Sequence, residues 1–379
     1  MDFIPSPPLT PPHTAEDRIN WLRLLRSRRV GTATFYRLMN DHGSAQASLD
    51  ALPDIARAAG VNGYRICPKS VVEEELRAGR KIGARLLAIG EPEYPASLAL
   101  IPDAPPLLWV KGDVSLFERP MVALVGARNA SSLGLRMARA VSRDLGAEGF
   151  GIVSGMARGI DTAVHKAALD TGTIAVLGGG LDVIYPAENK DLYHQIADTG
   201  VIVSEQPLGM KPFARHFPMR NRIVSGMALA TVVIEAAAKS GSLLTAGNAM
   251  EQGREVMAVP GHPFDGRSSG CNNLLRDGAS LIRGARDVID VLAQASPLAL
   301  TAKQTPDEAI EPIAQTPQSL DDTTALHTEI LSRLGGVAIA EDQLIRDLSA
   351  RAEDVSSQIM TLELDGHITR KAGGLLSRT

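Results

Sequence analysis

The sequence predicts an α/β protein organised on a doubly wound parallel sheet, with a smaller module on either side of it. Two observations carry this. Between about residues 120 and 285, short apolar runs alternate with helical stretches: MVALVG, FGIVSG, TIAVLGG, GVIVSE, ATVVIEA, REVMAVPG and ASLI. Strands that are apolar throughout are buried on both faces, and helical crossovers between them cover both faces of a parallel sheet. Outside this window the alternation fails. The chain before it is helical with short loops, and after it a polar, proline-bearing stretch leads to three more helical pieces.

The bulk properties narrow the function. A chain of 379 residues suits two or three domains, and a hydrophobic fraction of 44% is ample for a large core. A formal charge of −4 excludes a general cationic coat, so recognition of a polyanion needs a local patch. Two cysteines, Cys67 and Cys271, lie far apart; this argues against a disulfide framework or a cysteine zinc site and suits a reducing cytoplasm. The opening MDFIPSPPLTPPH lacks the basic and apolar regions of a signal peptide, and no apolar run reaches 18 residues, so no membrane span is expected.

In chain order, residues 1–14 are proline-rich and expected to be a disordered tail. Residues 15–70 place Trp21, Leu22, Leu25, Phe35, Leu38 and Met39 at helical spacing around a Val30-Gly31-Thr32 turn. This looks like a SAM-like or helix-hairpin-helix unit. Arg26, Arg28 and Arg29 would be its DNA contacts, with plain helix packing as the alternative. Residues 71–118 hold a helix near 71–81 and two strands, RLLAIG and LLWV, that extend the main sheet. The sheet domain as a whole covers 71–295. Residues 296–322 lose periodicity and read as a linker. Residues 323–379 carry three helical pieces and a wing around Gly373-Gly374, a winged-helix pattern. Its third helix bears Glu353, Asp354, Glu363 and Asp365 and no lysine or arginine; only Arg370 and Lys371 in the wing are basic. Protein contact is therefore favoured there over major-groove reading.

In open parallel sheets ligands gather at the carboxyl ends of the strands. The first strand ends in GARNASSLG, with Arg128 where a dinucleotide fingerprint has glycine, and the second ends in Ser154-Gly155 without a carboxylate for a ribose. Arg128 beside Ser131 at a helix start suits a phosphate, with a sheet-edge ion pair as the alternative. SGMARGIDTAVHKAAL brings Arg158 into a glycine-rich loop. Its Asp161 and His165, four residues apart, read more readily as a cap and a packed histidine than as a metal or acid–base pair. Gly178, Gly179 and Gly180 allow close backbone approach, and Asn189 and Lys190 start the next helix. Lys239, Ser240, Gly241 and Ser242 form a polar turn into a helix, either an anion site or a simple cap. Residues 213–222, FARHFPMRNR, mix aromatic and cationic side chains more densely than any other window. The phenylalanines Phe213 and Phe217 can stack on bases while Arg215, Arg220 and Arg222 hold the flanking phosphates; core packing with a solvated helix start is the alternative. No nucleophile–base–orienter set, Walker motif or zinc spacing is present.

Taken together, GARNASSLG, SGMARGIDTAVHKAAL, TIAVLGGGLDVIYPAENKDL, FARHFPMRNRIVSG, EAAAKSGSLLTAGNAMEQGREVMAVPG and SSGCNNLLRDGA resemble the DNA-processing protein A family (DprA/Smf), in its order and across the whole α/β domain. Val164 and Val224-Ser225 depart from the commoner residues without removing a charged or aromatic group. The resemblance implies a Rossmann-like domain in a cytoplasmic, non-enzymatic protein of natural transformation. Such a protein binds single-stranded DNA, and some double-stranded DNA, helps load the RecA recombinase, and forms a homodimer through the Rossmann-like domain, with no cofactor, metal or membrane. By motif position it implies DNA contacts at Arg128, Ser131, Ser154, Gly155, Arg158, Lys190, Phe217, Arg220, Asn221, Arg222 and Lys239 to Ser242. The competing expectation is a nucleotide phosphoribohydrolase of a related fold. That activity needs a carboxylate after a PGGxGTxxE turn; here the turn reads KSGSLLTA, and Glu251 lies too far along the helix.

Overall fold

The computed structural model describes residues 10–295 and, beyond them, short stretches and single positions between 327 and 378. It divides into two units at residue 304. The expected linker and residues 1–9 of the expected tail lie outside the described residues. Thr14, at the end of that tail, is ordered: its hydroxyl accepts the amide of Asp17, whose carboxylate accepts the Thr14 amide, and this capping box starts α1 (Ala15–Arg26).

Two further short-looped helices follow, α2 (Thr32–His42) and α3 (Ala45–Ala58), then α4 (Lys69–Lys81). Gly43 ends α2 at φ 74°, a left-handed turn that glycine tolerates, and Ser44 caps α3. The expected turn at Gly31 separates α1 from α2, and Trp21 meets Phe35 edge-on at 5.1 Å. Arg26 is no candidate DNA contact: it forms a two-pronged ion pair with Glu75 at 2.8 and 2.9 Å, and Glu75 also accepts the Trp109 indole.

Among the described residues the main sheet has nine strands. β1 (Arg85–Ala88) and β2 (Leu107–Gly112) flank the short α5 (Ala96–Ala99). Then come β3 (Met121–Val125), α6 (Ser132–Ala147), β4 (Gly151–Ser154), α7 (Ile160–Ala167), β5 (Thr173–Val176), α8 (Lys190–Thr199) and β6 (Val201–Ser204). The chain continues through α9 (His216–Gly226), β7 (Ala230–Val233), α10 (Ser242–Glu251), β8 (Glu255–Ala258), α11 (Ser269–Arg276), β9 (Ser280–Leu281) and α12 (Ala285–Ala295). The strand order is β1-β2-β6-β5-β4-β3-β7-β8-β9. β3 to β9 run parallel, whereas β2 adds antiparallel to the edge at β6 and β1 antiparallel to β2, as the expected extension.

Alternation along the strands sorts the core into two faces. Ala123, Val125, Val153, Ile174, Val176, Val203 and Val233 point to one face, covered by α9, α10 and α11. Val122, Leu124, Ile152 and Val232 point to the other, covered there by α6, α7 and α12. The remainder of that second face, Leu86, Ala88, Leu107, Trp109, Ala175 and Ile202, is covered by α8 and by the N-terminal helices through Trp21, Leu22, Leu24, Phe35 and Leu38. The helices of residues 15–70 therefore share one core with the sheet.

The second unit contains a three-stranded antiparallel sheet in the order β10-β12-β11: β10 (Ile339–Ala340), β11 (Ile368–Lys371) and β12 (Leu375–Arg378). Ile330, Leu334, Leu344, Val355, Ile359, Leu362, Ile368 and Leu376 form its own core. The β11–β12 hairpin, with Lys371 opposite Leu375, is the wing of a winged helix. Glu353, Asp354 and Asp365 lie outside the described residues.

Candidate nucleic-acid interface

Chain order reverses between β3 and β7. After β3 the chain winds outward through β4, β5 and β6; after β7 it winds the other way. The loops leaving these two strands part company, and a cleft of about 590 Å³ opens between them at the strand carboxyl ends.

The loop after β3 is pinned from both sides. The Ala127 amide donates to Glu235 O at 2.6 Å, and Ala127 O accepts the Ile160 amide at 3.1 Å. Gly126 abuts Ile160; a Cβ there would lie 2.6 Å from its Cγ1. Arg128 emerges exposed from this anchored turn, and its guanidinium sits 5.2 Å from the centroid of the Phe217 ring.

The adjoining helix start is already occupied by an internal anion. Ser131 caps α6 by accepting the Gly134 amide at 2.9 Å and donates its hydroxyl to Glu235 Oε2 at 2.5 Å; its own amide donates to Glu235 Oε1 at 3.0 Å. A carboxylate at this position satisfies the free amides that would otherwise attract a phosphate. The expected Ser131 phosphate contact is corrected accordingly: Ser131 binds Glu235 and does not line the cleft.

Ser154 is corrected too. It is fully buried, and its hydroxyl donates to Leu124 O at 2.7 Å, tying β4 to β3. The next residues face the cleft. The Gly155 and Ala157 amides both donate to Asp161 Oδ2 at 3.2 Å, and Met156 O accepts the Asn189 amide group at 2.9 Å. These bonds hold Met156 at φ 62°, a left-handed conformation that costs a non-glycine residue about 1 kcal/mol or more. Asp161 is thus a loop-holding carboxylate, buried and pushed upward in pKa by that burial, with Arg220 opposing the shift. His165 is also buried, its Nδ1 at 2.7 Å from the Thr173 hydroxyl, and burial lowers its pKa to about 3. The two do not form an acid–base pair.

Helix α9 splits its polar residues between two sides. Phe217, Arg220, Asn221 and Val224 follow helical spacing and all line the cleft. Arg220 is buried beneath it, donating to the Gly155 carbonyl and, at 2.5 Å, to the Val176 carbonyl, which joins the carboxyl ends of β4 and β5. Burial lowers its pKa to about 10, against the pull of Asp161. It forms a charged floor and not a free phosphate hand. Arg222, on the far side of the helix, pairs with Glu205 at 2.6 Å and Asp103 at 3.2 Å, and its expected DNA contact is corrected. The carboxylates reach it from β6's end and from the loop before β2, two partners remote in sequence.

On the opposite wall, Lys239 is exposed and has no ion-pair partner among the described residues. Ser240 and Ser242 share a hydrogen bond at 2.7 Å, and Gly241 O accepts the Asn221 side chain at 3.4 Å, so the turn before α10 is stitched to α9. Besides Ser131, Ser154 and Arg222, two more expected residues lie off this cleft. Arg158 is exposed and paired with Glu188 at 2.6 Å; Lys190 is exposed at the first turn of α8. Arg267, from the loop before α11, was not singled out in the sequence, yet it lines the cleft while paired with Asp265 at 3.1 Å. Arg128, Arg220, Lys239 and Arg267 together face one lining carboxylate, Asp161. Among the described residues no group of three or more His, Cys, Asp or Glu side chains could hold a metal ion, and no helix is long and apolar enough to cross a membrane.

Fold and site define a Rossmann-like α/β protein with a cationic, aromatic-walled cleft at its topological switch point, followed by a winged helix. The chain belongs to the DNA recombination-mediator protein A family, whose model matches residues 85–293; a DprA-like N-terminal HHH domain matches 15–78 and a DprA winged helix domain 314–374. It is 31% identical to Protein Smf of Synechocystis over 387 residues, covering 93% of this chain and 96% of that one. To the DNA processing protein DprA of Streptococcus pneumoniae it is 47% identical over 198 residues, 52% of this chain and 70% of the relative. The X-ray structure of the pneumococcal protein matches with a TM-score of 0.60 at 37% identity, over 72% of this chain and 97% of that one. The Helicobacter pylori DNA processing protein A, described for its unique single-stranded DNA binding mode, matches with a TM-score of 0.52 at 29% identity, over 56% of this chain and 96% of that one.

Proposed function

We propose that this protein binds single-stranded DNA in the switch-point cleft and hands it to the RecA recombinase during natural transformation. In this reading it acts in the cytoplasm, as a homodimer through the Rossmann-like domain, and catalyses no reaction of its own. The observation that carries the reading is the Arg128–Phe217 pair at the cleft mouth, with Lys239 opposite and without an ion partner among the described residues. Cations hold a phosphate backbone and an aromatic ring meets a base, whatever its identity. Membership of the family and the likeness to the Helicobacter protein support it.

The test is fluorescence anisotropy with a labelled single-stranded oligonucleotide across a salt series. Wild type is expected to bind with a logarithmic salt slope of about −2, as for two to four neutralised phosphates at roughly −0.7 each. Arg128→Ala and Phe217→Ala should each weaken binding by about tenfold. Failure of the wild type to bind at low salt would sink the reading and turn attention to hydrolysis of nucleoside monophosphates. Light scattering checks the dimer, and strand exchange with added RecA checks the hand-over.

A further inference from the structure

A second, smaller cleft of about 250 Å³ opens beside the first, on the other side of Arg128 and Phe217, which line both. Its own walls are Met156, Arg158, Tyr185 and Pro186. Tyr185 leaves the glycine-rich segment after β5 and is 49% exposed, with no hydrogen bond to its hydroxyl among the described residues. Its ring lies 5.7 Å from that of Phe217, tilted by 43°. Phe217 itself offers less free surface: Arg128 lies over its ring, and Gly178 is packed so closely that a Cβ there would sit 3.2 Å from Phe217 Cδ1. Tyr185 is therefore the more accessible of the two rings at this junction. Beyond it, Arg158 is 63% exposed and, among the described residues, paired only with a similarly exposed Glu188, a weak partner that a phosphate can replace.

Resting on the single-strand reading above, we infer that Tyr185 stacks a second base of the bound DNA and that Arg158 holds the phosphate beyond it. The strand then runs from the Lys239 wall, across Arg128 and Phe217, into the smaller cleft. Two successive bases meet two neighbouring rings, and a cation stands at each end of the track.

The experiment is anisotropy of the full chain with a labelled oligothymidylate and with a strand of equal length lacking its bases. Tyr185→Leu should lose about tenfold on oligothymidylate and nothing on the base-free strand, while Tyr185→Phe keeps wild-type affinity. Arg158→Gln should leave the fold untouched and flatten the salt slope by about 0.7, one phosphate's worth. Equal binding by Tyr185→Leu and wild type, an equal loss on both strands, or an unchanged slope in Arg158→Gln overturns the inference. Wild type that binds, and that weakens on Arg128→Ala but not on Tyr185→Leu, removes this subsite alone; wild type that never binds removes the functional reading as well.

Discussion

Arg220 and Arg222 stand two residues apart on one helix and do different work. Arg220 donates to two strand-end carbonyls and sits beside the buried Asp161 carboxylate. Replacing it with methionine removes two charged hydrogen bonds and the cation that most opposes the burial shift of Asp161. The expected cost is about 3 kcal/mol in denaturant unfolding, because two buried carbonyls lose their charged donor and a buried carboxylate loses a compensating charge. Arg220→Lys should recover part of it. His165 allows a pH test. Its folded pKa, about 3, lies below the unfolded value of 6.5, so the folded state binds fewer protons in that window. Its contribution is fully present above pH 6.5 and is lost as pH falls towards 3, with a limiting slope of about 1.4 kcal/mol per pH unit. Unfolding free energies measured from pH 7 to 4 should therefore converge between wild type and His165→Asn as pH falls; parallel curves would refute the shift.

At the scale of elements, the cleft depends on two tight strand-to-helix loops that brace each other. Gly159, at φ 75° and ψ −119°, enters α7 where an added Cβ would lie 2.3 Å from the Ala127 carbonyl oxygen and 2.6 Å from that of Arg128. An alanine there meets both a forbidden conformation and backbone atoms that cannot move aside. Gly159→Ala should cost at least about 2 kcal/mol in thermal or denaturant melts. It should also weaken oligonucleotide binding, because relief comes only by shifting the Arg128 turn. A variant with normal affinity would show that the two loops move independently. The internal carboxylate is a feature of the same kind. Glu235 closes the α6 terminus that a dinucleotide-binding sheet leaves for pyrophosphate, which is why the absence of a glycine fingerprint at Arg128 and the Ser131 cap belong together.

Across the whole molecule, the N-terminal helices finish one face of the sheet. Trp21, Leu22, Leu24, Phe35, Leu38 and Leu49 are buried in the core that also holds Trp109 and Ile202. Exposing six such side chains forfeits on the order of 10 kcal/mol, comparable with the total stability of a domain. Deleting residues 1–68 should therefore give an aggregating or unfolded product. A fragment of residues 10–295 is expected to fold and keep its oligonucleotide affinity, since the second unit has its own core. Loss of binding in that fragment, read by anisotropy, would assign part of the DNA site to the winged helix.

The sequence by itself determined the strands, the parallel sense of those beyond residue 120, the helices between them and the chemistry available at the strand ends, because apolar period and glycine placement are local signals. It also pointed to Arg128, Phe217 and the Lys239 turn, which line the cleft. Only the tertiary structure decided which polar side chains face that cleft. Ser131 meets Glu235 from 104 residues away, Arg222 is claimed by Glu205 and Asp103, and Ser154 turns inward one residue before Gly155 turns out. Arg267 comes to the site from a loop that the sequence did not single out, and Tyr185 from a motif whose glycines, not its tyrosine, drew notice. Residue type states what a side chain can bind; the order of strands in the sheet, a non-local property, states what it meets.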